Sequence, residues 1–233
     1  MMAVQGGTFK MGASDDDIEA CENECPAHLV TVPDYSIGVT EVTQALWKAV
    51  MGSNPSGFTG DMTLPVENVS WNDCQNFITK LNELTGETFR LPTEAEWEFA
   101  ARGGYKSTGC KYAGSDDIHY VAWFENDADN MTHPVAVKAP NELGLYDMSG
   151  NVWEWCQDRY NESYYSISPL TNPLGPSNGT NRVLRGGSWY NGPVCSRVTF
   201  RSVINPSNTL TRVACVSPYN VRFEREKRHW LLG

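Results

Sequence analysis

The segment Tyr146-Asp147-Met148-Ser149-Gly150-Asn151-Val152-Trp153-Glu154-Trp155 sets two carboxylates, Asp147 and Glu154, on either side of a Gly-Asn turn. A tight loop of this kind can aim two carboxylates and several carbonyl oxygens at one hard cation, the ligand set calcium takes. The same residues also fit a plain loop whose carboxylates cap backbone N–H groups while Trp153 and Trp155 fill the core. The four histidines, His28, His119, His133 and His229, form no H-E-x-x-H or H-x-x-x-H pair, so a helix-borne zinc or iron site has no support. Seven cysteines (Cys21, Cys25, Cys74, Cys110, Cys156, Cys195 and Cys215) are scattered without a C-x-x-C pair. That pattern is neither a disulfide framework nor a structural zinc site. Cys21 and Cys25 could bridge locally; otherwise all seven read as buried or reduced thiols. No G-x-S-x-G, P-loop or G-x-G-x-x-G is present, and Gly186-Gly187-Ser188 reads as a turn or bulge.

A second region stands out by what it lacks. From Tyr190 to Thr211 there is no Glu, Asp, Gln, Lys, Met, His or Trp. Side chains so mixed in size and polarity follow no core pattern. The stretch is either a long surface loop or a recognition surface.

These segments need a scaffold. The chain has 233 residues, enough for one large domain or two small ones and for a real core without disulfides or a metal. Apolar residues make up 40% and charged residues 20%, with 8 Trp, 10 Tyr and 8 Phe, which excludes disorder. A net charge of −10 leaves no basic stripe for a phosphate backbone, so nucleic acid is not an expected partner. No apolar run reaches the ~18 residues that cross a bilayer, so no membrane insertion is expected. No signal peptide is visible at the start; the localisation stays unassigned.

Gly7 to Val32 reads as two strands, the second His28 to Val32, around an acidic loop (Asp15, Asp16, Asp17, Glu19, Glu22, Glu24) expected to be solvated. Helices are expected over about Val42 to Met51, with Leu46, Ala49 and Val50 on one face, and over Asn72 to Thr85. A third begins after Pro92, where Thr93 and Glu96 form a capping box. No helix is expected beyond Gly104. Arg182 to Arg185 and Arg212 to Val216 read as strands between long loops, which on a packed scaffold are commonly functional. Together these give an α+β fold in a single domain, residues 1–217. A tail from Pro218 to Gly233 carries Arg222, Arg225, Lys227 and Arg228.

Several blocks resemble the formylglycine-generating-enzyme (sulfatase-modifying factor) family. They are Gln5-Gly6-Gly7-Thr8-Phe9-Lys10-Met11-Gly12, Glu41-Val42-Thr43-Gln44, Pro65-Val66-Glu67-Asn68-Val69-Ser70-Trp71 and Arg90-Leu91-Pro92-Thr93-Glu94-Ala95-Glu96-Trp97-Glu98. Gly144 to Trp155 and Arg182-Val183-Leu184-Arg185-Gly186-Gly187-Ser188-Trp189 follow in order. The resemblance implies a C-type-lectin-like fold, with helices packed on a small twisted antiparallel sheet and much irregular loop. It also implies calcium on the side chains of Asp147 and Glu154 and the carbonyls of Gly150 and Val152, as a structural ion.

Fold does not settle function. The family's oxidases carry a C-x-x-x-x-C pair that binds copper just after the Gly-Gly-Ser, and here that segment holds Cys195 alone. The iron-dependent sulfoxide synthases of the superfamily need a histidine set this chain does not match. Neither copper nor iron is expected. The chain is more similar to the variable proteins of diversity-generating retroelements. These randomise template adenines, mostly in Asn codons, which cannot become Lys, Glu, Gln, Met or Trp; all five are missing from Tyr190 to Thr211. The resemblance implies a non-catalytic protein that displays a hypervariable face, about residues 189–211, to a protein or cell-surface ligand, from a cell surface or a virion. The expected contacts are Tyr190, Asn191, Val194, Cys195, Thr199, Phe200, Ser202, Val203, Ile204, Asn205, Asn208, Thr209 and Leu210. Trp189, Arg197, Arg201, Pro206 and Arg212 read as framework, and Val198 and Val203 could be core. The alternatives are a diverged oxidase built around Cys195, or an undiversified regulatory or structural domain.

Overall fold

The computed structural model describes residues 1–14 and 16–215. Asp15, Val216, His229, the 217/218 boundary and the basic tail lie outside the described residues. Two small antiparallel pairs open the chain: β1 (Met2–Val4) with β4 (Tyr35–Ile37), and β2 (Gly7–Met11) with β3 (His28–Val32). Then come α1 (Gln44–Met51), α2 (Trp71–Thr85), α3 (Glu94–Ala101) and a single turn, α4 (Ile118–Val121). A four-stranded sheet closes the fold, built from β5 (Trp153–Arg159), β6 (Arg182–Arg185), β7 (Ser202–Ile204) and β8 (Val213–Ala214), in the order β7-β6-β5-β8. The architecture is α+β with much loop. The expected all-antiparallel sheet is corrected to a mixed one, because β8 runs parallel to β5. Among the described residues no helix is long and apolar enough to cross a membrane.

Local chemistry sets the helix ends. Thr43 Oγ1 accepts the Leu46 N–H at 3.3 Å, and Ser70 with Asp73, and Thr93 with Glu96, form full capping boxes. Gly86 stops α2 at φ 72°, a left-handed conformation that costs glycine nothing. α1 buries a different face from the one expected. Trp47 is buried and stacks on Phe77 at 4.8 Å, whereas Leu46 is exposed. The larger aromatic surface takes the core and rotates the helix. The one turn of α4 is too short to leave a periodic signal.

The sheet divides the core. Residues paired across β5, β6 and β7 share a face: Trp155 lies opposite Leu184, and Leu184 opposite Ser202. That face, with Trp153, carries a cluster over α1 and α2 that includes Trp47, Phe77 and Val213. The other face, with Val183 and Cys156, carries the cluster around Trp97, Phe99 and Tyr165. All eight residues of α3 are buried, including Glu94, Glu96 and Glu98. Three buried carboxylates on one helix demand cations: Glu96 takes Arg90 and Glu98 takes Arg102 from nearby in the chain, while Arg201 on Glu94 and Arg185 on Glu98 come from its C-terminal half.

Candidate functional site

Three arginines with almost no solvent exposure hold the segment after Gly187 to the scaffold. Arg185 Nη1 donates to the carbonyls of Thr199 and Phe200, both at 2.9 Å, and Nη2 donates to Val198 O at 2.9 Å and to Glu98. Arg201 grips Glu94 with both sides of its fork, at 2.6 and 2.8 Å, and donates to Asn23 O at 2.7 Å. Arg197 does the same to Glu24, at 2.7 and 2.9 Å, and also reaches Asp17 at 3.1 Å and Thr199 Oγ1 at 2.8 Å. A planar fork matched to a carboxylate is the strongest geometry available to a buried ion pair. Burial opposes both shifts, yet the Arg102 and Arg185 guanidiniums hold the Glu98 carboxyl below the ordinary range, and the carboxylates of Glu24, Asp17 and Glu19 push the Arg197 guanidinium up. The acidic loop is therefore not simply solvated as expected: Asp17, Glu19 and Glu24 face Arg197.

The scaffold also holds this segment by its backbone. Asn191 O accepts the Glu125 N–H at 3.1 Å, Leu210 O accepts Asn68 at 3.0 Å and Pro206 O accepts Asn72 at 3.3 Å, while the Val198 N–H donates to Lys111 O at 3.1 Å. Trp189 Nε1 closes the base of the loop on Thr211 O at 3.0 Å, with its ring edge-on to Phe58. Main-chain bonds take no account of side-chain identity, so side chains between them can change without releasing the path.

The expected contact residues sort by exposure. Tyr190, Val194, Val203, Asn205, Asn208 and Thr209 are exposed; Asn191, Cys195, Phe200, Ser202, Ile204 and Leu210 are half-buried. Thr199 is corrected: it is buried, its hydroxyl on Arg197 and its carbonyl on Arg185, so it belongs to the framework. Asn191 reaches the surface, but its Oδ1 accepts from Trp153 Nε1 at 2.9 Å and Ser188 Oγ at 2.6 Å. Val198 is core and Val203 is not.

Seven of the thirteen expected contacts (Asn191, Cys195, Phe200, Ser202, Val203, Ile204 and Leu210) line one concavity of about 230 Å³. Trp153, Leu184 and Arg212 complete it. It is the open end of the cluster over α1 and α2, where Phe200 lies 6.0 Å from Trp153. Sequence reasoning missed the roles of Trp153 and Leu184, whose apolar character signals only core. A larger concavity, about 470 Å³, lies between the acidic loop and Gly109 to Lys111. Two of its ion pairs join the walls, Lys111 to Glu19 at 2.8 Å and Arg197 to Asp17 at 3.1 Å.

The second expected site lies under the Gly150 turn. Asp147 and Glu154 are buried, and desolvation pushes their carboxyls up to about 6 and about 8. Each is singly braced, Asp147 by the Ala136 N–H at 2.8 Å and Glu154 by the Trp97 indole. Glu41, which sequence reasoning left out, is buried beside them, and burial first, then the charges of Asp147 and Glu154, raise its pKa far above normal. It accepts from Asn151 Nδ2 at 3.0 Å and the Val152 N–H at 3.3 Å. Gly150 is required: at φ +84° a Cβ would sit 2.3 Å from Trp123 O. Among the described residues no three His, Cys, Asp or Glu side chains form a metal cluster. A cation here would rest on two carboxylates and the carbonyls of Gly150 and Val152, which accept no backbone N–H among the described residues. Uncompensated buried carboxylates beside two free carbonyls fit a hard cation.

No disulfide joins any of the seven cysteines among the described residues, so the local Cys21–Cys25 bridge is not formed. Cys195 is half-buried, and burial raises its thiol pKa, the opposite of what an activated nucleophile needs.

Comparison with known proteins places this geometry. The chain is similar to a formylglycine-generating enzyme of Streptomyces coelicolor, 37% identical over 216 residues, covering 83% of this chain and 66% of that enzyme's length. It is 32% identical over 251 residues to the chaperone protein LppX of Paenibacillus barcinonensis, covering 86% and 82% of the two chains. Among solved structures, Treponema denticola variable protein 1 superposes with a TM-score of 0.87 at 32% identity over 95% of each chain. PvdO from Pseudomonas aeruginosa gives 0.82 at 26% identity, over 94% and 93%. The model of the sulfatase-modifying factor enzyme 1-like domain matches residues 1–213, and the chain belongs to that family.

Proposed function

We propose that this chain is a non-catalytic ligand-binding protein whose face, drawn from residues 189–211, is varied by a diversity-generating retroelement. One observation carries the reading. The segment separates into buried anchors (Arg197, Thr199 and Arg201) and surface residues drawn from a restricted alphabet. Similarity to a variable protein of Treponema denticola supports it. Tyr190 and Phe200 supply rigid contact area, and the Asn, Ser and Thr residues supply adaptable hydrogen bonds, the mixture antibody loops use. The ligand is a protein or a cell-surface molecule. Substitution scanning tests the division: changes at Tyr190, Val203, Asn205 and Thr209 are expected to shift stability by no more than about 0.5 kcal/mol. Losses above about 2 kcal/mol at most of them would show that the face is structural.

Similarity to formylglycine-generating enzymes favours a second reading, an oxidase built around Cys195. It requires copper. The reduced protein is expected to take no Cu(I) from a chelator such as bicinchoninate and to leave a C-x-P-x-R peptide unmodified. Stoichiometric uptake that is lost in Cys195→Ser would establish the oxidase instead.

We also propose that Asp147, Glu154 and the carbonyls of Gly150 and Val152 hold calcium. The ion would neutralise the buried carboxylates and fix the turn that leads into β5, whose first residue, Trp153, floors the concavity.

A further inference from the structure

We propose that the concavity on this face takes one apolar side chain of a ligand while Arg212 pairs with a carboxylate beside it. The inference rests on reading the face as a binding surface, and adds the chemistry that the scaffold contributes whatever the displayed residues are.

The lining has two origins. Trp153 and Leu184 come from β5 and β6, and Arg212 lies just beyond the restricted stretch. These three persist when the other lining residues change. The floor is apolar: Trp153 and Leu184 are 5% and 3% exposed. The Trp153 indole N–H, its one polar group, is already donated to Asn191 Oδ1 at 2.9 Å. Phe200, Val203, Ile204 and Leu210 extend this apolar lining, while Asn191, Ser202 and Arg212 add polar atoms to it; an apolar side chain can be desolvated against the floor without giving up a hydrogen bond. Size limits the occupant as well. At about 230 Å³ the site falls below the ~300–1,000 Å³ of small-molecule pockets, so a single side chain fits better than a whole metabolite.

Arg212 supplies the charge. Arg185, Arg197 and Arg201 all have carboxylate partners. Arg212 has no ion pair among the described residues and only stacks on the Tyr190 ring at 4.9 Å. In a chain of net charge −10, a guanidinium that lines this concavity and pairs with no carboxylate among the described residues selects an acidic ligand group. Stacking leaves the planar edge of the guanidinium free to grip a carboxylate.

The test uses 3-phenylpropanoate as probe, with 3-phenylpropanamide as its uncharged twin, on the full chain. The indole N–H signal of Trp153 is followed by NMR and assigned with Trp153→Phe. The anion is expected to shift that signal saturably and to bind about tenfold more tightly than the amide, the scale of one charge-assisted hydrogen bond. Arg212→Gln should abolish this preference and leave amide binding unchanged. Arg212→Lys should keep part of it, and serves if the glutamine variant does not fold. Equal binding of anion and amide, or no movement of the Trp153 signal, would overturn the proposal. So would sedimentation showing a second copy of the chain seated on this face. These outcomes are separable from the broader reading: a failed probe with codons that vary in the population removes only this inference, and a bound probe with fixed codons removes only diversification.

Discussion

Arg201→Met is expected to destabilise the protein by about 3–5 kcal/mol, the cost of stripping one partner from a buried ion pair. For a chain of this size that is a fall in Tm of about 6–20 °C. The cause is Glu94, 2% exposed, which loses the two-pronged grip at 2.6 and 2.8 Å. It keeps only a 3.6 Å approach from Arg185 and the Tyr165 hydroxyl at 3.3 Å. The Asn23 carbonyl loses its donor too, so the first loop and the displayed segment loosen together. A paired variant, Arg201→Met with Glu94→Met, should recover a large part of the loss, since an apolar pair of similar volume often replaces a buried ion pair without penalty. Urea titration measures both. A loss below about 1 kcal/mol in the single variant would mean that the arginines do not carry the face.

Calcium is expected to give the second large effect. At a free concentration a hundredfold above its Kd, a ligand that binds only the folded state adds about 2.7 kcal/mol. Chelated protein should therefore gain about 5–11 °C in Tm as calcium is restored. Magnesium should do less, because it demands octahedral geometry and gives up water reluctantly. Glu154→Gln should abolish the shift, and Asp147→Asn, which keeps an oxygen ligand, should retain part of it. Identical melting in chelator and in millimolar calcium would remove the ion from the account and leave Glu41, Asp147 and Glu154 as a carboxyl cluster held by its protons.

Much of the scaffold was legible because its signals are local. The cap at Thr93, the stop at Gly86 and the strands His28–Val32 and Arg182–Arg185 lie where turn chemistry and periodicity put them. What failed depends on distant partners. Glu24 reads as one more surface carboxylate until Arg197, far along the chain, is found against it. Thr199 has the composition of a displayed residue, and only the fold puts two arginines on it. The apolar spacing of α1 favoured Leu46, but stacking on Phe77 favoured Trp47. Strands of three residues, such as β1 and β4, are too short to show alternation. The site followed the same rule: its restricted alphabet was visible in one stretch, whereas the concavity needs Trp153, Leu184 and Arg212 brought in from elsewhere.

Diversification is the central claim, and deep sequencing of the last third of this gene across one population of its source tests it most directly. The account predicts substitutions concentrated at Tyr190, Val194, Cys195, Phe200, Ser202 to Asn205 and Asn208 to Leu210. Arg185, Trp189, Arg197, Thr199, Arg201 and Arg212 should be nearly invariant within the same reads. Uniformly low variation across codons 190–211, or variation that falls equally on the buried arginines and the exposed face, would contradict it.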